Sequence, residues 1–103
     1  MHSFSFLFFL PMALTLDTKV VADKDQLSTE LNGQSVIMNV DTGTYYSLNP
    51  VGSVIWRVIQ EPATLRQVSD QVIAEFDVDA VRAQADVIKL VQDLVASKLA
   101  QVV

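Results

Sequence analysis

The run ELNGQSVIMNVDTGTYYSLNPVGSVIW, residues 30–56, contains two hairpin turns followed directly by a helix start. Asn32-Gly33 is the dipeptide that favours a type I′ turn, where both central residues take positive φ, and it would join residues 28–31 to residues 35–40. Asp41-Thr42-Gly43 reads as a three-residue hairpin loop with Gly43 in the left-handed position, leading into Thr44, Tyr45, Tyr46, Ser47 and Leu48. Three consecutive strands make a meander, so the third is paired on one side only and offers its other edge. Tyr45 and Tyr46 must point to opposite faces, one toward the core and one away from it, and the sequence leaves open which is which.

Beyond Leu48 the apolar period changes from two to that of helices. Asn49 suits an N-cap and Pro50 the first helical position, and Val51, Val54, Ile55, Val58 and Ile59 share one face until Pro62. Trp56 is read as a core or edge-filling residue. Thr64-Leu65-Arg66-Gln67 matches a capping box ahead of a stripe of Leu65, Val68, Val72, Ile73 and Phe76. Asp79 or Asp77 caps a third helix that runs to about Ser97, with Arg82, Asp86, Lys89 and Asp93 confined to a narrow polar arc. The expected fold is α+β and winged-helix-like: a three-stranded antiparallel meander followed by three helices.

The third helix is apolar over more of its circumference than a single contact needs. Val81, Ala85, Ile88 and Val95 form one stripe, and Ala83, Val87, Leu90 and Leu94 form another, with Val91 between them. Either both are buried, or one faces the core and the other a partner.

The run from Asp41 to Asn49, with Gly52, Ile55-Trp56, Thr64 and Phe76, resembles the PqqD-like family, named for a protein of pyrroloquinoline quinone biosynthesis. The likeness covers residues 19–101; where the family usually has a Gly-Leu-Leu-like ending, this chain reads Ser97-Lys98-Leu99-Ala100. The resemblance implies a recognition element that binds the leader segment of a ribosomally made precursor peptide between its third strand and third helix, as an added strand. It implies peptide contacts from Thr44, Tyr45, Tyr46, Ser47 and Leu48 on the strand and from Val87, Leu90, Val91 and Leu94 on the helix. It also implies a separate processing enzyme, a leader peptidase of lasso-peptide biosynthesis or, as the alternative, a radical maturase of pyrroloquinoline quinone biosynthesis.

Composition narrows the other classes. The net charge of −5 opposes phosphate neutralisation, and residues 65–98 set Arg66, Arg82, Lys89 and Lys98 against Asp70, Glu75, Asp77, Asp79, Asp86 and Asp93. That balance weighs against a winged-helix DNA-binding protein, the remaining alternative, and against any nucleic-acid partner. His2 is the only histidine and there is no Cys, so neither a His-based nucleophile system nor a thiolate or His-rich metal site is expected. Asp23-Lys24-Asp25 and Asp77-Val78-Asp79 read as solvated and capping carboxylates rather than metal ligands, and the three glycines are too widely spaced for a phosphate loop. No catalytic residue, metal or cofactor is therefore expected.

Residues 1–18 are expected to be a poorly ordered extension and residues 19–103 the folded domain. Phe4-Ser5-Phe6-Leu7-Phe8-Phe9-Leu10 carries four of the five Phe residues, yet it is too short to span a bilayer and lacks the basic start of a secretory signal. Met12 is the alternative natural start to Met1. No membrane partner is expected, and the lack of Cys suits a reducing cytoplasm.

Overall fold

A computed structural model describes residues 13–24 and 26–103. Its elements in chain order are β1 (Lys19–Ala22), β2 (Gln26–Leu31), β3 (Gln34–Asn39), β4 (Tyr45–Leu48), α1 (Pro50–Val58), β5 (Ala63–Thr64), α2 (Leu65–Phe76), α3 (Ala80–Ala96) and β6 (Ala100–Val102). The expected meander is present as an antiparallel sheet in the order β2-β3-β4, and the three helices follow it.

Local chemistry sets the meander's register. Asn32 and Gly33 take φ of 57° and 80°, as a type I′ turn requires, and Leu31 faces Gln34 across it. The second turn is one residue longer than the spacing predicts. Strand β3 ends at Asn39 because its side-chain Oδ1 accepts from the N–H of Asp41 (2.9 Å) and of Thr42 (3.2 Å), which bends the chain before Val40. The Gly43 N–H then donates to the Asn39 carbonyl (2.8 Å) with φ of 75°, and the Asn39 N–H donates to the Thr44 carbonyl (2.9 Å).

The helix starts follow their sequence signals. The Asn49 side chain accepts from the Gly52 N–H (2.8 Å), with Pro50 in the first turn. Thr64 and Gln67 form the reciprocal capping box, at 3.1 and 2.8 Å. Of the two candidates for α3, Asp79 is the cap, accepting from the Arg82 N–H at 3.1 Å, while Asp77 ends α2 in a left-handed conformation.

A second antiparallel sheet, in the order β5-β1-β6, was not foreseen. It closes the domain by pairing Val20 with both Ala63 and Val102. Residues just ahead of β1 tie to the start of α2: the Leu16 and Thr18 carbonyls accept from the N–H groups of Arg66 (2.9 Å) and Leu65 (3.0 Å), and Leu14 and Leu16 pack on the core. The Phe-rich run and the choice between Met1 and Met12 lie outside the described residues, as does Asp25.

The core lies between the inner face of the meander and the helices. Ile37 and Leu48 come from the sheet, Ile55 and Ile59 from α1, Val68 and Val72 from α2, and Val87, Val91 and Leu94 from α3. Two polar side chains on the inner face of β3 are also buried, each with a partner: the Ser35 hydroxyl donates to that of Ser53 in α1 (2.8 Å), and Asn39 Nδ2 donates to the Lys98 carbonyl (3.0 Å).

Candidate peptide-binding groove

Within the described sheet, β4 pairs with β3 alone, in the register Met38 with Tyr45, Ile37 with Tyr46, Val36 with Ser47 and Ser35 with Leu48. Antiparallel pairing turns backbone groups alternately toward and away from the neighbouring strand. The Asn39 to Thr44 bond sets the phase, so Thr44, Tyr46 and Leu48 address β3. The N–H and C=O groups of Tyr45 and Ser47 therefore point to the unpaired edge.

Beside that edge runs an open groove of about 830 Å³. Tyr46, Ser47 and Leu48 form one wall, Val51, Gly52 and Ile55 of α1 contribute to its floor, and Arg82, Asp86 and Leu90 of α3 form the opposite wall. Helix α1 starts tight against the strand. A Cβ added to Gly52 would lie 3.2 Å from two side-chain atoms of Leu48, closer than ordinary van der Waals contact.

The two tyrosines are now distinguished. Tyr46 lies on the groove side, half-buried, and its hydroxyl donates to Asp93 Oδ2 of α3 at 3.3 Å. Burial first, and then the negative charge and hydrogen bond of Asp93, raise its phenol above the ordinary value. Tyr45 is 68% exposed on the outer face, where it sits with Leu27, Val36 and Met38. Strand β3 turns Val36 and Met38 toward that outer face and Ser35, Ile37 and Asn39 inward.

Of the helix residues named from the sequence, Leu90 lines the groove, but Val87, Val91 and Leu94 are fully buried in the core. At about 100° per residue these three, with Ala83, make the central stripe of α3, and Leu90 sits at its edge nearest β4. The groove wall continues from Leu90 through Asp86 and Arg82, two residues of the narrow polar arc. The signal was present in their spacing: Asp79, Arg82, Asp86, Leu90 and Asp93 share one side of the helix.

Among the described residues, no group of three or more His, Cys, Asp or Glu is placed to hold a metal ion, and no helix is long and apolar enough to cross a membrane.

Comparison with known proteins identifies relatives of this arrangement. A family model for coenzyme PQQ synthesis protein D (PqqD) matches residues 34–100, a span that runs from β3 through the start of β6 and includes both groove walls. The solved structure "TbiB1 in Complex with the TbiA(beta) Leader Peptide" is similar with a TM-score of 0.71 and 26% identity, covering 79% of this chain and 94% of that one. No curated protein matches.

Proposed function

Because this chain belongs to the coenzyme PQQ synthesis protein D (PqqD) family, we propose that its groove binds the leader segment of a ribosomally made precursor peptide and presents it to a separate processing enzyme. The observation that carries this reading is the unpaired β4 edge beside the groove, in a fold similar to that of a protein solved with a leader peptide.

Strand addition needs few special side chains. The outward N–H and C=O groups of Tyr45 and Ser47 would bond the leader backbone, and alternate leader side chains would enter the groove toward Leu48, Ile55 and Leu90. Thr44, Tyr46 and Leu48 would hold the edge in register through β3, while Val87, Val91 and Leu94 support the groove from behind. The role is recognition without catalysis. We assign the processing enzyme to the leader peptidases of lasso-peptide biosynthesis, with cytoplasmic action as part of that reading. The alternative partner is a radical maturase of pyrroloquinoline quinone biosynthesis, in keeping with a family described as coenzyme PQQ synthesis protein D.

Calorimetry with the precursor leader recovered by pull-down tests the site. Ser47→Pro removes an outward N–H and obstructs the incoming strand, and it should weaken binding by about fivefold to a hundredfold, since a lost backbone bond and its stranded partner cost about 1–3 kcal/mol. Leu90→Asp should weaken binding by placing a charge against the leader, whereas Lys89→Ala, on the exposed side of α3, should not. Circular dichroism should report folded protein in each case, because the Ser47 N–H makes no bond in the free sheet. Unchanged affinity in folded Ser47→Pro and Leu90→Asp would place the site elsewhere.

A further inference from the structure

The two sides of the groove differ in charge. The β4 and α1 side is apolar around Leu48, Val51 and Ile55, while the α3 wall carries Asp79, Arg82 and Asp86, with Leu90 beyond them. At about 100° per residue these four and Asp93 fall within about 80° of helix circumference, so they form one ridge, of which the first four line the groove and Asp93 lies just past the lining, bonded to Tyr46. Along that ridge three carboxylates accompany one guanidinium. Arg82 Nε lies 3.9 Å from Asp86 Oδ2, with the two side chains 81% and 60% exposed, so this pair is weak and leaves the Asp86 carboxylate open to another cation. Asp93 accepts the Tyr46 hydroxyl and keeps a second oxygen at the β4 end of the ridge. The exposed Lys89 lies beside the ridge and outside the groove lining.

We infer that the alternate leader residues facing the groove include both apolar residues that enter the floor and Lys or Arg that project over α3, and that the ridge of Asp86 and Asp93 selects the basic ones. The inference rests on strand addition at β4, which makes alternate residues of a bound peptide face the groove. The selectivity is one of rim charges, worth about threefold to tenfold between a basic and an acidic residue at one position.

A random short-peptide library displayed on yeast and panned on the immobilised protein tests it. Enriched peptides should carry Lys or Arg and apolar residues two positions apart, on one face of a strand, and avoid Asp and Glu at the basic positions. The double variant Asp86→Asn/Asp93→Asn should lose this preference, and Glu61→Gln/Asp70→Asn, the same change of charge at exposed sites outside the groove lining, should keep it. Enrichment of acidic or neutral peptides, or an equal response of the two double variants, overturns the inference. Ser47→Pro separates the two levels: peptides that need an intact Ser47 but ignore basic residues overturn the charge selection alone. Peptides that bind Ser47→Pro as well as the parent overturn strand addition too.

Discussion

Lys98 holds the end of the longest helix in a conformation its residue type does not favour. Its φ is 61°, its N–H donates to the Val95 carbonyl (3.1 Å), and the Leu99 N–H reaches back to the Leu94 carbonyl (2.8 Å). This is a Schellman closure, with Leu99 and Leu94 both fully buried as the accompanying apolar contact. No glycine stands here, yet the closure forms because the buried Leu99 and the Asn39 bond to the Lys98 carbonyl fix the chain on both sides. Lys98→Gly should raise stability. The left-handed penalty of about 1–2 kcal/mol disappears, and the freer unfolded chain returns about 0.4–1 kcal/mol of that. Urea unfolding should show a higher midpoint at an unchanged slope; a lower midpoint would mean that the Lys98 stem contributes packing. Tyr46 gives a pH signature at the same scale. Its phenol is raised in the folded state by burial and by Asp93, so its contribution to stability is full below the ordinary phenol range near about 10. It is lost as pH rises through the folded value. In alkaline unfolding series the parent should therefore lose stability relative to Tyr46→Phe as pH climbs, and the two should run parallel at neutral pH.

At the scale of elements, what the sequence made legible is what local chemistry decides. The type I′ turn at Asn32-Gly33, the Asn49 cap and the Thr64 capping box each rest on residues adjacent in the chain. The sheet of β1, β5 and β6 was illegible because strands of four, two and three residues are too short to carry a period, and their pairing is fixed only by the closed fold. The longer β3–β4 loop escaped notice for a similar reason. Its bend depends on Asn39, whose amide serves both the loop and the distant Lys98 carbonyl. The groove was half legible: the free edge followed from counting strands, and Leu90 from its stripe. The rest of the α3 wall was not, because a polar residue facing a groove and one facing solvent look alike in a helical pattern, and only the position of β4 separates Asp86 from Lys89.

For the whole molecule, the domain boundary and the strand-addition site are the two claims open to direct test. A chain beginning at Met12 retains the Leu16 and Thr18 carbonyl bonds and the packing of Leu14 and Leu16, whereas one beginning at Lys19 removes them. The first should match the full chain in leader affinity. The second should unfold earlier, by about 2–4 kcal/mol for two half-buried Leu side chains and two backbone bonds. Equal thermal midpoints for the two would return the boundary to residue 19. The central claim is tested most directly by amide hydrogen exchange, followed residue by residue along β4 with and without the captured leader. Tyr46 and Leu48, already paired to β3, should be protected in both states. The amides of Tyr45 and Ser47 should exchange freely in the unbound protein and become protected in the complex. A leader that binds while Tyr45 and Ser47 continue to exchange as in the free protein would contradict strand addition at β4.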